Sequence, residues 1–451
     1  MLRNFIFFAV ALTAIARMES SASEVTPLAF PGAEGFGAST KGGRGGRILE
    51  VTNLEDSGPG SFRAACEAEG PRTVVFRTSG TLRVKKRIEV RHPFITIAGQ
   101  TAPGGGICLS IDEEVADGGP LKIMTSEVII RYMRFRPGPP RNPQVLENVD
   151  GLTIANADQP IRRVIIDHCS FSWSTDELFN TWYDVKDVTV QWCLFAEALA
   201  ETVRGQGNHS KGPLLGSKGG DRQSFHHNLM VHNAGRNPMI KLHGLADVIN
   251  NFAHVPGQVA MSISDEYGLA RVNFIGNIVT APNGDGLVRG CSFLPTGNGF
   301  AVFSQGNIGP LLPDAQGPQA AWFRNIPADA FVPVRFSAPP VTIHTASEAR
   351  LLLLEEAGAT IPSRDAVDCR VVEDVRAGRT RIVRHPDEVG GWPRLPVGLA
   401  EDDFDHDGMP DRWEQNLGLN WRNEADGTED SDGDGYTNLE AYLHSLLVAD
   451  Q

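Results

Sequence analysis

VIIDHCSF (164–171) is followed by VTVQWCLF (188–195), SFHHNLMV (224–231), DVINNFAHV (247–255) and VNFIGNIV (272–279), and the spacing of these runs decides the fold. Cys169 and Cys193 lie 24 residues apart in matching contexts, CSFS and CLFA. Asn228 and Asn251 are separated by 23 residues, and Asn251 and Asn277 by 26. Short apolar strands returning at this period, with no helix between them, suit a solenoid whose coils bury one another's faces. A β-sandwich would bring its strands closer together, through Asn-Gly hairpin turns that are scarce here. The pattern therefore predicts an all-β parallel β-helix. The recurrent Asn228, Asn250, Asn251 and Asn277 fit its corners, where Asn tolerates left-handed backbone and stacks in ladders. Cys169 and Cys193 read as stacked core residues rather than a bridge.

Composition limits what such a solenoid does. The chain has 451 residues, 48 Gly and 29 Pro, which favours turns over long helices. A net charge of −14 gives no general reason to seek nucleic acid or an anionic membrane. An acidic substrate would need local cations or metal ions in the cleft. Six cysteines without CxxC or CxxH spacing indicate neither zinc nor a dense disulfide framework. Residues 1–22 read as a signal peptide: Arg3, the apolar run FIFFAVALTAIA and the small residues Ser20-Ser21-Ala22. That run is too short to span a bilayer, so the expectation is a secreted, extracellular, soluble protein. Nothing in the chain reads as an obligate dimer helix, which predicts a monomer.

The solenoid is expected over 24–340. Ser61-Phe-Arg-Ala-Ala65 starts a short helix within it. A peripheral strap follows over 341–398. There Thr345-Ala-Ser-Glu348 opens a helix with a capping-box pattern, ARLLLLEEA continues it and Gly358 stops it. Its four leucines need cover, against the solenoid flank or its end. No chemistry attaches to 359–398. Residues 399–451 form a separate tail, in which Asp403, Asp405, Asp407, Asp411 and Glu414 occupy positions 1, 3, 5, 9 and 12 of an EF-hand loop with Gly408 at 6. A second loop begins with Asp430, Asp432 and Asp434 but has Ala441 at position 12, its carboxylate Glu440 standing one place early.

Within the solenoid, GRNPMIKLHG (235–244) delivers Arg236 and Lys241 around a Pro turn directly after a strand, a cationic pair suited to an anionic substrate. Lys211 precedes a Gly-Pro turn upstream. Asp150 in ENVDGLTIAN, with Asp176 and Asn180 in STDELFN, lies near the turns of successive coils, where a parallel stack brings distant residues together. Oxygen ligands, Ca²⁺ and basic side chains together describe a site for anionic sugars. Asp167-His168 reads as a buried structural pair rather than a catalytic dyad.

FPGAEGFGA, VTNLEDSGPGSFRAA, VIIDHCSFSWSTDE, VTVQWCLF, SFHHNLM and GRNPMIKLHG, in this order, resemble the pectate lyases of polysaccharide lyase family 1 over roughly residues 28–300. The resemblance implies a right-handed parallel β-helix that cleaves polygalacturonate by calcium-assisted β-elimination. It implies Arg236 as the base, Lys241 as a substrate-binding cation, Lys211 as the lysine holding a substrate carboxylate, and Asp150 and Asp176 as calcium ligands. Asn180 stands where the family often has Asp, removing one negative charge. An arginine base requires neighbours that favour its neutral form, which predicts activity at alkaline pH. The tail resembles dockerin-like and thrombospondin type 3-like calcium modules, implying a stabilising cap or attachment to a cell surface or scaffold. Two other functions compete: a glycoside hydrolase using Asp167, Asp176 and Glu177, which leaves the cationic cluster unexplained, and a non-catalytic calcium-dependent polysaccharide-binding or adhesion protein.

Overall fold

The computed structural model describes residues 27–112, 118–140, 149–201, 209–257, 259–282, 289–327 and 329–447, without the side chains of Ser217 and Val259. The predicted signal peptide lies outside them. Among the described residues no helix is long and apolar enough to cross a membrane.

Nearly every strand pairs in parallel with strands one coil earlier and one coil later, giving the expected β-solenoid. Its wall has three faces. The first runs from Arg47–Val51 through Arg72–Phe76, Ile95–Ala98 and Val128–Arg131 to Phe300–Gln305. The second runs from Ile88–Val90 to Phe323–Arg324. The third holds eight short strands, from Gly80–Val84 to Ile278–Thr280. Two long strands, Leu152–Asp167 and Phe179–Gln191, cross from the second face to the first and join them in one 17-stranded sheet.

Stacking in register explains the apolar spacing. Ile130, Ile166, Val190, Phe225, Val248 and Phe274 are register partners in six consecutive coils, and all face the interior. On the third face Phe135, Phe171 and Phe195 stack with ring centroids 4.9 and 4.7 Å apart, each such pair contributing about 0.5–1.5 kcal/mol beyond area burial.

The corner between the first and third faces uses a two-residue rule. One residue adopts left-handed backbone: Tyr132, His168, Trp192, His227 and Asn250, with φ between 48° and 54°. Four of these rings stack outside the coil at centroid distances of 4.9, 5.9 and 4.4 Å. The next residue points inward. Asn228, Asn251, Asn277 and Asn307 form a buried amide ladder, the Nδ2 of each of the first three donating to the Oδ1 of the next at 2.9–3.0 Å. Cys193 and Cys169 continue this column: the Cys193 amide donates to Asn228 Oδ1 at 2.9 Å, and the Cys169 amide to Cys193 Sγ at 3.4 Å. Both thiols are free, as their strand contexts imply. Asn250 differs from the ladder asparagines in taking the left-handed position, and its side chain bonds His344 of the strap.

Helix α1 (Phe62–Glu67), capped by Ser61, packs into the first coils. Helix α2 (Ala346–Glu356) has the predicted capping box between Thr345 and Glu348. Only Leu353 and Leu354 of its four leucines are buried; Leu351 is 66 % exposed, because a helix turns one face at a time toward the flank. Residues 359–398 are more than a strap. Helix α3 (Ala366–Arg376) lies within them, and Val367, Val371, Val372 and Val375 join Leu353 and Leu354 against the third face. Its Asp365 and Asp368 neutralise the buried Arg136. Helices α4 (Asp411–Leu417) and α5 (Asn438–Ser445) belong to the tail, where Met409, Leu439 and Leu443 pack on Val75 and Ala98 of the first face.

Candidate active site and a second acidic cluster

The second face begins each coil at one edge, and four consecutive coils place charged groups there. Backbone bonds fix the alignment. The Asp176 amide donates to Val149 O and that of Gly151 to Glu177 O. Glu177 bridges to Lys211, and Lys211 to Gly235, in parallel. Asp150, Asp176–Glu177, Lys211 and Arg236 thus become neighbours, although 86 residues of sequence separate the first from the last.

Asp150, Asp176 and Glu177 each bring a carboxylate oxygen within 4.8 Å of the others. Asp150 accepts from the Glu177 amide and from Thr153 Oγ1, both at 3.1 Å. Asn180 also hydrogen-bonds Asp150, and its Oδ1 is buried with no partner. Burial and the neighbouring Asp176 push the Asp150 carboxyl up to about 7. Carboxylates this close hold their charge at low cost only beside a cation, and with the spare Asn180 oxygen they fit a hard, oxygen-seeking ion such as Ca²⁺.

The basic groups flank this cluster. Arg236 has left-handed backbone at φ 60° and precedes the cis Asn237–Pro238 peptide. Asn237 is locked by reciprocal amide bonds with Asn233 and by its own amide to Ala260 O at 3.0 Å. Gly212 allows the close approach of the preceding coil: a Cβ there would lie 2.3 Å from Arg236 O. The Arg236 guanidinium pairs with Glu177. Burial draws its pKa down, against the opposing pull of Asp176 and Asp150. Lys211 is also lowered by burial, with Asp176 opposing. Lys241 stands farther along, paired with Glu266 at 2.6 Å and over the Tyr267 ring. The stack therefore brings Asp150, Asp176, Lys211 and Arg236 to one edge. Two neighbours stand outside the sequence-based ligand set: Glu177, which the sequence leaves open as a replacement for Asn180, and His209, whose Nε2 lies 2.8 Å from Asp176. Asp167 is a buried structural residue, held by Arg131 at 2.7 Å, Gln191 at 2.8 Å and His168 at 2.9 Å.

Among known proteins the chain is 33% identical over 444 residues to a probable pectate lyase C of Emericella nidulans, covering 96% of each chain. It is 34% identical over 433 residues to one of Aspergillus fumigatus, covering 93% of this chain and 94% of that one. The chain belongs to the pectate lyase family. No protein-family model matches it. Among solved structures this pectate lyase shares its fold with jun a 1, the major allergen from cedar pollen, at a TM-score of 0.55 and 19% identity over 72% of this chain and 92% of that one. It also shares it with a pectate lyase described for its anti β-elimination mechanism, at 0.52 and 13% over 73% and 97%.

The pectate lyase carries a second acidic cluster in its tail, whose membership differs from the EF-hand positions. Asp405, Asp407 and Glu414 join Asp426, their oxygens all within 4.8 Å of one another. Asp403 lies outside this group: one oxygen accepts from the Gly408 amide at 3.1 Å and meets Arg77, while the other is buried without a partner. Asp411 closes the loop by accepting the Phe404 amide at 2.7 Å. Burial and mutual repulsion push the Asp407 and Glu414 carboxyls up to about 8. In the second loop Asp430, Asp432 and Asp434 also gather, but all three are exposed. Glu440 is taken by Arg44, at 2.8 Å, and by its own helix cap.

Proposed function

We propose that this pectate lyase cleaves α-1,4-linked polygalacturonate by calcium-assisted β-elimination, releases unsaturated oligogalacturonides, and works outside the cell after loss of residues 1–22. The observation that carries the reading is the edge on which Asp150, Asp176 and Glu177 stand beside Lys211 and Arg236. Acids alone would suit a hydrolase or a bare metal site. The interleaved cations suit an anionic sugar chain. The anti β-elimination described for a solved pectate lyase of this fold supports the same chemistry.

Asp150, Asp176, Glu177 and the spare oxygen of Asn180 would hold Ca²⁺, which supplies charge neutralisation at a uronate carboxylate and so acidifies the adjacent C5–H. Lys211, partly desolvated beside Asp176, is placed to pair with a substrate carboxylate. Lys241, one coil beyond, is placed to pair with a further uronate if Glu266 yields. Arg236 takes the C5 proton, the C5–H electron pair becomes the C4–C5 double bond, and the bond from C4 to the glycosidic oxygen breaks. That oxygen leaves as a hydroxyl after protonation from water. An arginine does this only when neutral. Burial already moves Arg236 in that direction, and release from Glu177 completes the condition. An alkaline optimum follows.

Mass spectrometry of the products tests this reading. Elimination gives chains with an unsaturated non-reducing end, lighter by one water than the hydrolytic products. Saturated products would establish a hydrolase, and intact polymer bound without cleavage would establish a binding protein.

A further inference from the structure

Six of the seven tryptophans have evident structural partners. Trp173, Trp322 and Trp392 donate from Nε1 to Glu197 at 3.1 Å, Ile308 O at 3.2 Å and Arg136 O at 2.9 Å. Trp192 stacks between His168 and His227, Trp413 meets Tyr442, and the Arg422 guanidinium lies over Trp421. Trp182 is the exception. It is partly exposed, and among the described residues it makes no hydrogen bond, ring contact or cation contact. Such a ring, apolar on its faces and polar at its tip, is a common anchor at binding surfaces.

Its position on the second face sets it beside the substrate-binding groups. Phe179 packs in the core and Thr181 Oγ1 bonds the buried Gln223, so Asn180 and Trp182, at alternate positions of that strand, point outward. Trp182 therefore shares a face with Asn180, about 7 Å along the strand. On the next two coils Leu215, Ile240 and Leu242 fill the core, which leaves Gly216 and Lys241 outward. Gly216 pairs with Lys241, and the register of Thr181 with Leu215 puts Gly216 at the step beside Trp182. Trp182 and Lys241 thus stand two strand spacings apart, about 10 Å, with only a glycine between them. Any side chain at Gly216 would fill that gap.

We propose that Trp182, Gly216 and Lys241 form a sugar subsite beside the catalytic edge. A uronate ring of the polymer lies with its C–H face on the Trp182 indole, above Gly216, and its carboxylate reaches Lys241 in place of Glu266. The inference rests on the reading of the substrate as a polyuronate and adds to it the residue that orients one ring. The C–H face of a pyranose is apolar, while its hydroxyls and carboxylate project from the rim. A flat apolar surface with a cation at its edge matches both. A glycan without carboxylates would meet the indole but leave Lys241 with Glu266 and the Tyr267 ring. Trp182 is a positioning residue and takes no part in proton transfer.

Calorimetry and tryptophan emission with an oligogalacturonate and calcium test the subsite, in an Arg236→Lys background that keeps the oligomer intact. Trp182→Ala should weaken binding about tenfold. With Arg236 in place it should raise KM by a similar factor and leave kcat within about threefold. Trp182→Phe should restore affinity to within about threefold, yet lose the emission change that binding produces in the parent. That signature belongs to an indole in contact with the ligand, and a merely structural role would not move it. If Trp182→Ala does not fold, the emission of Trp182→Phe decides. Unchanged affinity in Trp182→Ala, a parent without any emission change on binding, or a change that survives Trp182→Phe overturns the subsite and leaves the lyase reading intact. Polygalacturonate neither bound nor cleaved by the wild-type protein would overturn that reading and the subsite with it.

Discussion

The solenoid edge and the tail loop solve the problem of gathering carboxylates in opposite ways. At the edge, Asp150, Asp176 and Glu177 come from two coils and are answered by Arg236, Lys211 and His209. In the tail, four carboxylates come from one short stretch, three of them are buried, and none pairs with a cationic side chain among the described residues. The first arrangement leaves both signs of charge available to an incoming polyanion. The second presents negative charge alone. The same residue type thus stands among cationic side chains in one place and apart from them in the other.

Separating the two clusters by experiment sharpens this contrast. The largest effect belongs to Arg236. Arg236→Lys should lower turnover by about 10²–10⁴-fold, the usual contribution of a general base, with oligogalacturonate binding and calcium-induced stabilisation retained. Steady-state rates and calorimetry on the variant check it. Near wild-type turnover would remove Arg236 from its role.

Breaking the edge cluster comes next. Asp150→Asn should raise the calcium concentration needed for activity by about tenfold or more, without touching hydrogen-exchange protection of the tail amides. A simultaneous loss of tail protection would mean that the two clusters are not independent.

A pH series probes both clusters at once. Asp150 is raised to about 7, and Asp407 and Glu414 to about 8. A raised carboxyl favours the folded state while protonated, and that contribution is lost as pH rises through the folded pKa. The buried His226, His227 and His232 are lowered by burial and slope the other way, but only below the ordinary histidine value of 6.5. Metal-free protein should therefore lose thermal stability between about pH 6.5 and 8.5, while the shift produced by calcium grows over the same window. A flat metal-free profile would contradict the buried-charge account.

The smallest effect lies at Glu440. Glu440→Gln loses its largely buried ion pair with Arg44 but keeps much of the helix cap, so unfolding in denaturant should change by about 1–3 kcal/mol. Calcium stoichiometry should stay unchanged.

How far the sequence could be read follows from the range of each interaction. The coil period was legible because every coil must bury the same inward column, and the Asn and Cys positions repeat at that period. The α2 capping box was legible because it is local. Helix α3 was missed: its apolar face carries only Val, a residue that reads as strand, and its place is set by Arg136 and the third face. Arg236, Lys211 and Asp150 were legible one at a time, through the turns that precede or follow them. The presence of Glu177 in the cluster depends on coil register, which spacing alone does not supply. Asp426 lies beyond the loop template and precedes a glycine whose need shows only beside Asp407.

The most direct test of the central claim is the ultraviolet absorbance of the unsaturated uronide, followed as purified protein meets polygalacturonate at alkaline pH, with calcium and again with chelator. The account predicts a steady rise with calcium and none after chelation. A rise indifferent to chelator, or reducing ends appearing without any rise, would contradict it.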